Sequence, residues 1–204
     1  MMLGIDLVEL SAARELRKSA DLRWRARVFT YEENARIDRA ADPERELWTL
    51  WAAKESYYKA RQQHGPWKRG SWRNVAVLAL PAAVRFTHAF DEATELLCCV
   101  CSDHPHWVAR VQRGDSARVR LLVLDELARR GLRDAAIERQ ELGEGRLGPP
   151  RIVGSATDAS GWELSLAHDG PWVGFALGHL GLEGTDESAE LRVAEERALE
   201  LGPL

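Results

Sequence analysis

The sequence predicts an α+β protein, and three observations predict it. Up to Gly65 apolar residues recur mainly at helical spacing, over residues 75–111 they form short β-type runs, and after Gly114 one amphipathic helix precedes further strand-like runs. A chain of 204 residues allows one domain or two small lobes around a sizeable core.

Residues 3–8 read as a buried strand ending near Glu9, with Asp6 inside it. A carboxylate there is costly unless it is paired or binds a metal. Helical stretches follow over residues 10–28 and 31–40, the second opened by a Thr30/Glu33 capping box. The central helix has Asp42 as N-cap, Pro43 in the first position, Glu44 and Glu46 at the positive end of the dipole, and a stop by Gly65-Pro66. Leu47, Trp51, Glu55 and Lys59 share one stripe of it. On its own the Glu55/Lys59 pair is an ordinary ion pair worth about 0.2–0.5 kcal/mol.

Residues 64–74 read as a loop with Lys68, Arg69 and Arg73 among Trp67 and Trp72, able to grip phosphate or simply pinned by its tryptophans. Strands are expected over 75–80, 84–87, 96–101 and 107–111. Residues 116–130 form an amphipathic helix capped by Gly131, 137–140 a strand, and 143–154 a glycine- and proline-rich loop. Residues 162–167 and 172–179 read as strands joined by the turn His168-Asp169-Gly170-Pro171. The acidic tail from residue 184 is expected to be helical or disordered.

Several function classes recede. No apolar run approaches 18 residues, and the N-terminus lacks the basic region of a signal peptide. A net charge of -4 argues against general nucleic-acid binding. Basic residues gather over 14–27 (Arg14, Arg17, Lys18, Arg23, Arg25, Arg27), a surface suited to an acidic partner or simply a solvated face. Cys98, Cys99 and Cys101 with His104 and His106 lack zinc-site spacing, and strand alternation splits the cysteines between two faces, so they read as core in a reducing, cytoplasmic setting. Ser165, His168 and Asp169 are the residue types of a triad, without the strand-turn-helix elbow that would expose the serine. Asp6 and Glu55 remain: a strand acid facing a helix acid, the pair a magnesium ion needs when phosphate oxygens and water complete its octahedron, with Lys59 one turn on as a point charge for phosphate.

Gly4-Ile5-Asp6-Leu7-Val8-Glu9-Leu10, then Phe29-Thr30 with Glu33, then Trp51-Ala52-Ala53-Lys54-Glu55-Ser56-Tyr57-Tyr58-Lys59-Ala60 resemble, in that order, the 4′-phosphopantetheinyl transferase superfamily. The Lys-Glu…Lys element is similar to the larger surfactin-type members, and the Asp-Leu-Val-Glu spacing to the small holo-acyl-carrier-protein synthases. The family's Gly-Lys-Pro and Ser-His elements have counterparts in Gly148-Pro149-Pro150 and Ala167-His168, with Pro149 in place of lysine and Ala167 in place of serine. Glu9 sits one residue beyond the surfactin-type third metal ligand.

The resemblance implies two transferase-like lobes, each of helices on a small antiparallel sheet, with the site in the cleft between them. Residues 1–112 resemble the family's C-terminal, metal-binding lobe and 113–183 its N-terminal, Ser-His lobe, a circular permutation, leaving 184–204 as the tail. It further implies magnesium-dependent transfer of the 4′-phosphopantetheine arm of coenzyme A to a serine of an acidic acyl or peptidyl carrier protein, as in polyketide, fatty acid or nonribosomal peptide biosynthesis, releasing 3′,5′-ADP. Asp6 and Glu55 would hold the ion, Glu55 would take the serine proton, Lys59 would steady the leaving phosphate, and His168, Arg118 and Arg151 would bind the nucleotide's 3′-phosphate. The rivals are a catalytically idle scaffold that binds a carrier or coenzyme A, and a single-lobe trimer with 113–204 appended; a monomer is the expected state.

Overall fold

The computed structural model describes residues 2–65, 72–143, 145, 147–154, 161–179, 190–193, 197–198 and 202–203. Strand β1 (Leu3–Glu9) leads into a short helix α1 (Leu10–Glu15), followed by α2 (Leu22–Val28), α3 (Tyr31–Arg39) and the long α4 (Pro43–Gln62). The single helix expected over 10–28 is broken, because Arg17 turns left-handed at φ 45° and a 3-10 turn over Lys18–Ala20 intervenes. Asp21 then restarts the helix by accepting the Trp24 N–H. The Thr30/Glu33 capping box opens α3, and Asp42 caps α4 with Pro43 in its first position.

No strand forms over residues 75–80. The chain there makes 3-10 turns, Trp72–Asn74 and Val77–Ala79, because the Lys54 ammonium of α4 donates to the carbonyls of Trp72 and Val75. Next come β2 (Arg85–Asp91), β3 (Leu96–Ser102), β4 (Trp107–Arg113), helix α5 (Ser116–Arg129) and strands β5 (Ala136–Glu141) and β6 (Leu147–Val153). Strand β6 corrects the expected loop over 143–154. Among the described residues it pairs with β5 alone, so Pro149 and Pro150 sit in a sheet that is all edge, where a missing N–H is tolerated. Strands β7 (Trp162–Asp169) and β8 (Trp172–His179) form the expected hairpin. In the tail, the described pieces are extended rather than helical: β9 (Glu190–Val193), β10 (Arg197–Ala198) and β11 (Gly202–Pro203); the rest of it lies outside the described residues.

Two main sheets result, ordered β1-β3-β2-β11 and β10-β9-β4-β8-β7. Strand β4, expected to close the first lobe, is instead central in the second sheet, antiparallel to β8 and parallel to β9. The sheets share one core, in which Leu3, Ile5, Leu7, Cys98 and Val100 meet Trp107, Ala109, Val111, Ala167 and Trp172. The other face of β1 lies on α4. A Cβ at Gly4 would come within 1.9 Å of the Ser56 carbonyl oxygen and 2.8 Å of the Ala60 nitrogen, so this glycine and two small helix residues set how near strand and helix approach. Helix α5 packs Val119, Val123 and Leu127 on the far face of the second sheet. Among the described residues no helix is long and apolar enough to cross a membrane.

Candidate active site

Alternation along β1 turns Asp6, like Gly4, toward α4, while the helical stripe turns Glu55 and Lys59 toward β1. The result is a cavity of about 320 Å³ lined by Asp6 and Glu55, with Leu7, Val8, Leu16, Trp48 and Trp51 forming an apolar flank. Two acids distant in sequence thus line one space. A third acid joins them: Asp169, at the end of β7, lines the same cavity and accepts the Glu9 N–H at 2.6 Å. The sequence places it in the turn His168-Asp169-Gly170-Pro171, whereas β7 extends through it. Alternation along β7 puts Ser165, Ala167 and Asp169 on one face, but it is the contact of that face with β1, which the sequence does not encode, that brings Asp169 to the cavity.

Lys59 sits within 2.7 Å of the Asp6 carboxylate and donates to the Ile5 carbonyl at 2.9 Å. Its ammonium therefore neutralises Asp6, where the sequence offered it as a holder of phosphate. Burial pushes the Asp6 carboxyl above the ordinary carboxylate range; Lys59 opposes this, and the charge of Asp169 adds to it.

The other expected site residues lie apart from this group. His168 is exposed, and strand alternation turns it away from Asp169, onto the face of β7 that meets α5. Arg118, exposed in the first turn of α5, rests its stem against Gly114, where a Cβ would lie 2.8 Å from Arg118 Cγ and 3.4 Å from Val173 Cγ2. Val173 is the cross-strand partner of His168, so Arg118 belongs to the His168 side. Arg151 is exposed on β6, opposite Glu138. None of these three lines the cavity with the acids.

Other motifs resolve as follows. Ser165 is buried and accepts the Ile5 N–H at 3.1 Å, so it is no nucleophile. The three cysteines are free and buried in β3, as core. Arg25 leaves the expected basic surface: it is buried and donates to Asn34, Ser19 and Asp38. Arg17, Arg23 and Arg27 are exposed. Trp72 packs on Trp51 and Tyr58, with centroids 5.1 and 5.2 Å apart, while Trp67, Lys68 and Arg69 lie outside the described residues.

Among the described residues no three His, Cys, Asp or Glu side chains form a cluster that could by itself hold a metal. Two hard carboxylates opening on a cavity nevertheless fit magnesium, which takes one or two protein carboxylates and leaves its other positions to phosphate and water. A family model described as the 4′-phosphopantetheinyl transferase superfamily matches residues 2–119. No curated protein and no solved structure matches the chain.

Proposed function

Matched over more than half its length, the chain belongs to the 4′-phosphopantetheinyl transferase superfamily, and on that premise we propose that it moves the 4′-phosphopantetheine arm of coenzyme A to a serine of a carrier protein, releasing 3′,5′-ADP. The observation that carries the reading is that Asp6 and Glu55, from separate parts of the matched region, line one cavity with Lys59 paired to Asp6 at its side.

In this reading Asp6 and Glu55 hold magnesium. A magnesium ion held there would supply neutralisation of charge on the diphosphate. Glu55, or a water it orients, takes the proton of the carrier serine. Lys59 exchanges Asp6 for the leaving phosphate and stabilises charge there. His168, Arg118 and Arg151 hold the nucleotide's 3′-phosphate through charge-assisted hydrogen bonds. Arg17, Arg23 and Arg27 meet the acidic helices of the carrier, which speeds encounter more than it tightens the complex. The setting is cytoplasmic and the working form a monomer.

The test is the mass of an apo carrier protein incubated with coenzyme A, magnesium and this protein. The expected result is a gain of one phosphopantetheine, with transfer reduced by about 10²–10⁴-fold in Glu55→Ala and in Asp6→Ala. Transfer surviving in both variants would reject the assignment.

A further inference from the structure

Among the described residues β1 ends its sheet, and no strand extends its backbone ladder on the outer edge. Side chains close that edge instead. On the carbonyl side, Gln63 donates to Leu3 and to Leu164, both at 2.9 Å, and Lys59 donates to Ile5. On the amide side β7 supplies acceptors in a regular series. Leu3 N–H reaches Glu163, Ile5 N–H reaches Ser165 Oγ, and Glu9 N–H reaches Asp169 Oδ2, the last two each across 160 residues of sequence. The two strands run alongside each other as a ladder whose rungs are side chains on every second residue of β7.

One rung is missing. At the same offset Leu7 faces Ala167, which has no acceptor, and the Leu7 N–H turns to Asp6. Beyond Ser165, the hydrogen bond that ties β7 to the cavity end of β1 is therefore that of Asp169, beside the packing of Leu7 with Ala167 and Trp172. The turn that follows uses Gly170 at φ +53°, with the Glu9 carboxylate beside it.

We infer that Asp169 is a positioning residue for the transfer reaction, holding the strand that carries His168 in register against the strand that carries Asp6. The inference rests on the phosphopantetheinyl reading above. His168 and Asp169 are neighbours on β7 and point to opposite faces, so a shift of Asp169 against Glu9 moves His168 relative to Asp6. A substrate held at its 3′-phosphate on one side and its diphosphate on the other needs that spacing fixed, and a misplacement of about 1 Å lowers rates by about 10²-fold.

The experiment compares the full-length parent with Asp169→Ala and Asp169→Asn, by carrier mass gain and by amide hydrogen exchange in the absence of substrate. In Asp169→Ala, kcat is expected to fall about 10²-fold while KM for coenzyme A changes less than about threefold. The Glu9 amide is expected to exchange about tenfold faster or more, with the Ile5 amide unchanged. Asparagine keeps an acceptor oxygen, so Asp169→Asn should restore kcat to within about threefold of the parent and Glu9 protection with it. Parent-like kcat in Asp169→Ala, a loss that asparagine does not relieve, or an unchanged Glu9 exchange rate each overturns the inference. A parent that transfers nothing counts against the phosphopantetheinyl reading, and the Glu9 exchange rates still decide whether Asp169 holds the strand.

Discussion

Helix α4 carries two lysines, each paired to a carboxylate from another element, and they behave as opposites. Lys54 and Glu33 are both 0% exposed and lie 2.9 Å apart. Lys54 also serves the Trp72 and Val75 carbonyls, while Glu33 also accepts the Thr30 and Val77 amides. Burial pulls the Lys54 ammonium below its ordinary range, with Glu33 pushing it back up. Lys59 and Asp6 remain 27% and 13% exposed, with Glu55 and Asp169 on the same cavity as Asp6. The first pair joins α3, α4 and the 72–77 turns, so exchanging partners would undo local structure. The second borders open space, where an incoming phosphate or cation can substitute for a partner. The same chemistry serves as a fixed strut where it is enclosed and, on the proposed function, as exchangeable charge where it meets a cavity.

Replacing each ammonium with methionine sharpens this contrast. Lys54→Met leaves a buried carboxylate without its cation and is expected to lower stability by about 3–5 kcal/mol in urea unfolding. A loss near zero would mean that the hydrogen bonds to Glu33 suffice and that enclosure is not what distinguishes the pairs. Lys59→Met should reverse the pattern, lowering transfer to the carrier by about 10²-fold while stability changes by only about 1–2 kcal/mol. Equal unfolding free energies for the two variants would erase the distinction.

A smaller effect probes a third carboxylate at the junction of the two sheets. Burial pushes Glu163 up to about 7, with a hydrogen bond from the Leu3 backbone opposing it, and His64 lies 3.2 Å away. A carboxyl held above its unfolded value of 4.5 keeps its proton in the native state after the unfolded chain has lost it. Its contribution to stability is therefore full below about pH 4.5 and is lost as pH rises to about 7. Glu163→Gln cannot ionise, so its stability relative to the parent should rise by about 2 kcal/mol between pH 5 and pH 8. Parallel pH curves for the two proteins would show that the site stays well hydrated.

Much of this architecture was legible in the sequence. The capping box at Thr30, the cap at Asp42, the strand at residues 3–8 and the hairpin after residue 161 all rest on short-range signals, and each formed. What failed depended on distant partners. Residues 75–80 have a strand's composition, yet Lys54, about twenty positions earlier, takes the Val75 carbonyl. Residues 147–153 have a loop's composition, yet β5 supplies a partner that tolerates proline. Asp6 and Glu55 were legible because strand and helix periodicities point each toward the other's element. Asp169 was harder to see because its role depends on a register between β1 and β7 that no local pattern encodes.

The side-chain closure of β1 has one further consequence. Without those side chains, the backbone donors of Leu3, Ile5 and Glu9 would be the kind of margin on which foreign strands template themselves. The second sheet keeps that margin covered by contributing single oxygens along it, not a full strand. Any event that parts the two sheets would therefore take Asp169 out of the cavity and also leave a sticky border, so opening of this molecule and self-association are expected to occur together.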